Sequence, residues 1–292
     1  MHNEPLIRAA AAATGVTHAN PKYTPFPPGA TITDAASNPQ EADEHAWGFR
    51  NVLGILSWIS QHTRPDIQFH ITSLASKQAS PNKTDYQLLK RVVKYANTTK
   101  HYKQSLERSD AYSRGGPPSE RRLRLSGMVD SDYGGCPVTR KCMSGLHITL
   151  NDTTDLIFPL QTSVPIISKA NRQPTVSTSV NEGELKSATA GAKTLVYLDS
   201  VLKFMDDNID TPRLYCDNKG AIAIAHGTGK RKRSKHIDIK HFYIRELIKE
   251  RKLSLHHVST DDNVSDAMTK SLGRTKFNKF RTLLGVVLPG TP

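Results

Sequence analysis

Long apolar runs and paired cysteines are both missing from this sequence of 292 residues. No segment approaches the roughly 18 consecutive apolar residues of a membrane-spanning helix, and the first residues include Glu4 where a secretory signal carries basic side chains. The three cysteines, Cys136, Cys142 and Cys216, show no C-x-x-C spacing, which argues against a disulfide framework and against a zinc site. We therefore expect a cytoplasmic or nuclear protein, not secreted, with no membrane partner.

Positive charge is in excess, because 40 Lys and Arg against 27 Asp and Glu give a net charge of +13. Such a balance favours a polyanionic partner such as nucleic acid. Residues 229–282 hold 15 Lys and Arg against 6 Asp and Glu. A basic run in this segment predicts phosphate contacts, with a nuclear-localisation signal or a solvated loop as the other interpretations. The run consists of Lys230, Arg231, Lys232, Arg233 and Lys235.

Changes in composition divide the chain into five parts. Residues 1–46 are rich in proline without a sustained period, which predicts a loop-rich leader. Residues 47–108 carry apolar side chains every three to four positions and predict a small bundle of three helices. The Gly/Pro/Ser-rich residues 109–120 predict a linker. A second domain then covers residues 121–272, and residues 273–292 form a basic C-terminal tail.

The second domain has the predicted element order β-β-β-α-β-α-α-β-α. Its first three segments alternate apolar and polar residues at short spacing and read as adjacent antiparallel strands. The segments after them alternate between helical and strand patterns. This order predicts an α/β fold with a mixed five-stranded sheet flanked by helices.

Four carboxylates occupy informative places in this order. Asp130 ends the first strand, Glu184 lies in the first long helix, Asp217 follows the fourth strand, and Asp266 lies in the last predicted helix. Each alone has an ordinary explanation as a turn residue, a helix cap or a solvated helix position. Together, carboxylates that meet at one sheet edge repel each other and favour a divalent cation, and oxygen ligands suit Mg²⁺ or Mn²⁺.

Several ordered motifs resemble one family, the copia-type LTR-retrotransposon polyproteins, in their C-terminal ribonuclease H region. The motifs are V-D-S-D-Y-G-G at 129–135, E-G-E at 182–184, Y-C-D-N-K-G-A-I-A at 215–223, S-K-H-I-D-I at 234–239 and D-N-V-S-D-A-M-T-K at 262–270. Residues 63–67 and Ser80-Pro81 also resemble the end of the family's reverse transcriptase, its thumb and connection. The resemblance therefore covers most of the chain.

The resemblance implies a ribonuclease H-like fold that cleaves the RNA strand of RNA/DNA hybrids. It places the family's metal-binding carboxylates on Asp130, Glu184, Asp217 and Asp266, with two Mg²⁺ ions bridged by Asp130. Glu184 is preferred to Glu182 because the family's helix continues from the second glutamate of its motif. The implied partners are an RNA/DNA hybrid and other parts of a polyprotein.

Two further functions remain open at this point. The Tyr-x-Asp-Asp motif of a polymerase palm does not occur in the sequence, so no polymerase activity is expected, and a non-catalytic nucleic-acid-binding remnant is the main alternative. A transposase or integrase of related fold is the third possibility. Those enzymes place the glutamate last among their carboxylates, whereas here Glu184 comes second.

Overall fold

The computed structural model describes residues 3–30, 32, 48–105, 122–135, 139–152, 163–206, 208–228 and 235–290. Its N-terminal part is helical. The helices are α1 (Glu4–Ala13), α2 (Phe49–His62), α3 (Gln68–Ala75) and α4 (Lys83–Thr98), with a 3₁₀ turn at Pro65–Ile67 between α2 and α3. None of the described helices is both long enough and apolar enough to span a membrane.

The helical part has a core of its own, held at one corner by a buried ion pair. Apolar side chains of α2 and α4, such as Leu56 and Val92, are fully buried in it. Arg64 lies 2.8 Å from Asp66 in the turn after α2, and Tyr95 of α4 donates a 2.6 Å hydrogen bond to the same carboxylate. Because all of these polar groups are partnered, the turn is fixed against α4.

The second part is built on a mixed five-stranded sheet. Its strands are β2 (Leu123–Asp132), β3 (Met143–Asp152), β4 (Val164–Arg172), β5 (Ile209–Cys216) and β6 (Ser254–His257), in the order β4-β3-β2-β5-β6. The first three pair antiparallel, and β5 and β6 are added in parallel to β2. The predicted α/β fold, a five-stranded mixed sheet flanked by helices, is confirmed.

Helices and a short 3₁₀ segment cover the sheet. The long helix α5 (Val180–Met205) packs on the central strands, and Gly191 permits the close approach, since a Cβ there would lie 2.7 Å from Cγ1 of Val129. Met128 faces the other side of the sheet and packs with Met268 and Phe280. The remaining elements are α6 (Lys219–Ala225), α7 (Lys235–Lys249), a 3₁₀ helix at Val264–Met268, and α8 (Arg274–Leu283).

The structure differs from the sequence interpretation at both ends of the chain. The segment read as a loop-rich leader contains α1, whose Ile7 and Ala10 enter the helical core, because its alanines favour helix and its proline lies in the first turn. The segment read as a basic tail contains α8, whose Phe277 and Phe280 are buried. The short strands β1 (Lys103–Gln104) and β7 (Val286–Val287) pair antiparallel beyond it. The predicted linker, 109–120, lies outside the described residues.

Candidate metal and active site

Adjacent parallel strands place the first pair of predicted carboxylates. Val129 of β2 and Cys216 of β5 are register partners, so Asp130 and Asp217 follow side by side. Asp130 is buried and Asp217 is half-buried. The hydroxyl of Thr260 donates a 2.9 Å hydrogen bond to Oδ2 of Asp217. The sheet therefore holds both side chains at one edge.

Asp266 reaches the same edge from a short 3₁₀ helix rather than from the regular helix that the sequence predicted. Asn263 caps this helix, and its amide also donates a 2.9 Å hydrogen bond to the carbonyl of Val129. Gly145 of β3 allows this 3₁₀ helix to approach the sheet closely, since a Cβ at position 145 would lie 2.6 Å from the carbonyl oxygen of Ser265. As a result, ligand oxygens of Asp130, Asp217 and Asp266 lie within 4.8 Å of one another.

Glu184 completes the group from the first turns of α5. Its carboxylate, the sulfur of Cys216 and the carboxylate of Asp217 lie within 4.8 Å of one another. Glu182 instead accepts a 2.7 Å hydrogen bond from the backbone N–H of Thr178 and pairs with Lys186 at 2.9 Å. Glu182 is therefore used at the helix N-terminus, while Glu184 lies among the other carboxylates.

Two lysines neutralise part of this negative charge. The Lys270 ammonium lies 2.9 Å from Asp266 and 3.3 Å from Asp130. Lys276, on α8, lies 2.7 Å from the other oxygen of Asp266. The hydroxyl of Thr269 also donates a hydrogen bond to Asp130. Asp130 and Asp266 are almost completely buried. Asp130 is partnered by Thr269 and Lys270, and Asp266 is partnered by Lys270 and Lys276.

Burial and mutual repulsion raise the pKa of two of the site carboxyls, Asp130 and Glu184. Burial is the largest cause for Asp130, opposed by Lys270 and reinforced by Asp266, and the pKa rises to about 6. Burial, with Asp130 and Asp217 nearby, raises the pKa of Glu184 to about 9. Burial lowers the pKa of Lys270, because it disfavours the charged ammonium, but the neighbouring Asp130 and Asp266 carboxylates outweigh burial and the net shift of this pKa is upward. The site therefore concentrates more negative charge than its lysines neutralise.

The donor atoms fit a hard divalent cation. Four carboxyl groups supply oxygen, the ligand atom that Mg²⁺ and Mn²⁺ prefer. Cys216 is the one sulfur in the group, and burial and the nearby Glu184 raise the pKa of its thiol. A protonated thiol is a poor metal ligand. The candidate ligands are therefore the oxygens of Asp130, Glu184, Asp217 and Asp266.

The basic run predicted to contact phosphates is not joined to this site by any described contact. Lys230, Arg231, Lys232 and Arg233 lie outside the described residues, and Lys235 begins α7 with its side chain outside the described part. Sequence reasoning missed Thr269, Lys270 and Lys276. The i, i+4 spacing of Asp266 and Lys270 was a usable signal, whereas nothing local links Asp266 to Lys276.

Curated proteins of related sequence align with most of this chain. The chain is similar to retrotransposon Pol polyproteins. It is 26% identical over 280 residues to the retrovirus-related Pol polyprotein from transposon RE1 of Arabidopsis thaliana, which covers 94% of this chain and 17% of that protein. It is 25% identical over 238 residues to the one from transposon TNT 1-94 of Nicotiana tabacum, covering 82% of this chain and 16% of that protein. The chain thus spans about a sixth of the length of these relatives.

Solved structures with a similar arrangement are ribonuclease H domains. The N-terminal ribonuclease H domain of Rv2228c from Mycobacterium tuberculosis aligns with a TM-score of 0.34 and 13% identity. The alignment covers 50% of this chain and 95% of that chain. LC11-RNase H1 in complex with an RNA/DNA hybrid has a TM-score of 0.33 and 13% identity, covering 51% of this chain and 94% of that chain. No protein-family model matches the chain.

Proposed function

We propose that this chain is the ribonuclease H-type part of a copia-type retrotransposon Pol polyprotein, joined to the end of its reverse transcriptase. It hydrolyses the RNA strand of RNA/DNA hybrids with the help of divalent cations. The convergence of Asp130, Asp217 and Asp266, with Glu184 beside Asp217, is the observation that carries the proposal. Similarity to Pol polyproteins over 94% of the chain supports it.

The carboxylates of Asp130, Glu184, Asp217 and Asp266 would hold the cations. Bound there, Mg²⁺ or Mn²⁺ would supply an activated water and stabilisation for the leaving oxygen. No nucleophilic side chain is needed for such a hydrolysis, in agreement with the buried, protonated state that burial favours for the Cys216 thiol.

The other side chains of the site position these ligands. Thr260 orients Asp217 through its 2.9 Å hydrogen bond, and Thr269 donates to Asp130. Asn263 ties the segment that carries Asp266 to the backbone of β2. Held in this way, the carboxylates need little rearrangement when cations and substrate bind, which lowers the cost of reaching the productive geometry.

The proposal is tested with an RNA/DNA hybrid labelled on either strand and incubated with Mg²⁺. We expect cleavage of the RNA strand alone, leaving 5′ phosphates, and its loss in the Asp130→Asn/Asp217→Asn double variant. Asp261→Asn is the matched control, because the Asp261 side chain is 90% exposed. If the wild-type chain binds the hybrid but cleaves no more than the double variant, it is a non-catalytic nucleic-acid-binding remnant and the proposal is wrong.

A further inference from the structure

Much of the basic charge near the carboxylates is already neutralised. Lys270 and Lys276 pair with site carboxylates, and Lys279 pairs with Asp262 at 2.9 Å. Such lysines contribute little net positive charge for a phosphate. The side chains that hold a nucleic acid beside the site are therefore expected among cations that have no carboxylate partner.

A cleft between the helical part and the sheet contains cations of this kind. Its volume is about 430 Å³, and it lies between α3 and the ends of β3 and β4. Lys141 and Arg172 line it, and Thr269 and Lys270 form the end that borders the carboxylates. The cleft therefore opens directly beside the proposed reaction site.

The charge of this cleft is predominantly positive. Within the described residues, Lys141 and Arg172 form no ion pair, and Arg172 donates a 3.3 Å hydrogen bond only to the hydroxyl of Ser76. Asp132 is the one carboxylate among the described lining residues. The hydroxyl group of Ser73 adds a donor for phosphate oxygens. This combination favours an anion with several oxygen acceptors.

The shape of the surface favours a nucleic-acid strand over a single phosphate ion as the ligand. Phe69 and Met143 give the cleft an apolar wall, suited to a sugar or a base edge. A second cavity of about 760 Å³ lies along β4 and α5, and Lys169 and Lys193 line it. Arg172 lines both cavities, so basic residues occur in each of them at the β4 edge of the sheet.

We propose that this cleft binds the phosphodiester backbone of the nucleic acid where it leaves the carboxylate site, with Lys141 and Arg172 as the phosphate contacts. The proposal rests on the proposed function and adds the path of its substrate. It also assigns a role to the junction between the helical part and the sheet: each contributes one wall, since Lys77 and Ser76 follow α3 while Lys141 and Arg172 lie at the ends of β3 and β4.

Binding of a fluorescent RNA/DNA hybrid, measured by anisotropy in a chelator, tests the proposal without any cleavage. We compare wild type with Lys141→Ala/Arg172→Ala and with the control Lys100→Ala/Lys249→Ala, which removes the same charge from residues that do not line the cleft. The cleft variant is expected to weaken binding about tenfold and to reduce the slope of log K against log salt by about 2, or about one for each lost phosphate contact. The control is expected to change the slope by less than half as much.

A charge-retaining variant, Lys141→Arg/Arg172→Lys, separates loss of contact from loss of fold, and it is expected to bind nearly as wild type does. The proposal is overturned if the cleft variant, folded by circular dichroism, matches the control in affinity and slope. Failure of the proposed function has a different signature, since the wild-type chain would then bind the hybrid in the chelator but leave it uncut when Mg²⁺ is added.

Discussion

The ammonium of Lys276 lies 2.7 Å from Oδ2 of Asp266, although the two residues belong to different elements. The carboxylate is 2% exposed and the lysine side chain 30% exposed. The helix α8 therefore contributes directly to the electrostatics of the candidate site. In the absence of a divalent cation, this contact and that of Lys270 offset the repulsion between Asp266 and Asp130.

Replacing Lys276 removes one partner from a buried carboxylate. We expect Lys276→Met to lower the free energy of unfolding in a chelator by about 2 kcal/mol, less than for a fully buried pair because the lysine is partly exposed. Added Mg²⁺ should restore part of the loss by supplying positive charge to Asp266. Urea denaturation with and without Mg²⁺ measures both effects.

Lys279→Met is the matched control, since Lys279 lies on the same helix and pairs with a more exposed carboxylate, Asp262. Lys279→Met should lower the free energy of unfolding by less than about 1 kcal/mol, as is usual when a surface ion pair is removed. Equal losses of unfolding free energy in the two variants would show that the Lys276–Asp266 contact stabilises the protein no more than an exposed ion pair does.

The stability of the cation-free protein should fall as the pH rises. The pKa of Glu184 is raised to about 9 in the folded state, so the folded protein retains a proton that the unfolded chain releases once the pH passes the ordinary glutamate pKa of about 4.5. Its contribution to stability is complete below the ordinary glutamate pKa and is lost as the pH rises towards about 9. Asp130, with its pKa raised to about 6, adds a smaller loss at lower pH.

Urea unfolding in a chelator at several values between about pH 5 and pH 9 measures this dependence. Glu184→Gln should reduce the fall in stability that accompanies rising pH. Glu182→Gln should keep it, because hydrogen bonding and Lys186 outweigh burial and lower the pKa of Glu182 to about 2, outside this range. A wild-type stability that rises from pH 6 to pH 9 would refute the assignment of the raised pKa to Glu184.

The close approach of β3 to the 3₁₀ helix should be sensitive to one added methyl group. In Gly145→Ala, the new Cβ would meet the carbonyl oxygen of Ser265 at 2.6 Å and Cβ of Met268 at 2.9 Å. Backbone cannot rotate away, so the segment that carries Asp266 must shift. We expect a loss of about 1–3 kcal/mol in stability and about a tenfold lower rate of hybrid cleavage.

Gly54→Ala provides the comparison for this variant. Gly54 lies in α2, and a Cβ there would meet no atom within 4 Å. Alanine favours helix more than glycine does, so this variant should gain up to about 1 kcal/mol. If Gly145→Ala were as stable and as active as Gly54→Ala, the position of Asp266 would not depend on this contact.

The strand pattern of the sequence predicted both strands that carry Asp130 and Asp217. Apolar alternation located β2 and a short apolar run located β5, but the two carboxylates were expected side by side only if these strands were neighbours, and the parallel pairing of β2 with β5 supplies that condition. The same approach missed α1, although its alanine-rich segment favours helix, because the prolines that follow dominated the interpretation. It also missed Lys276, since a tertiary contact between α8 and the 3₁₀ helix leaves no periodic signal in the sequence.

The central claim is that four carboxylates form one cation-dependent hydrolytic site. Its most direct test is the single-turnover rate at which RNA in an RNA/DNA hybrid is cleaved with Mg²⁺ by wild type, Asp130→Asn, Glu184→Gln, Asp217→Asn and Asp266→Asn. The account predicts measurable cleavage by wild type and a loss of at least about a hundredfold in each variant, with Asp261→Asn unchanged. A wild-type chain that binds the hybrid without cleaving it, or any one of the four variants that cleaves at the wild-type rate, would contradict it.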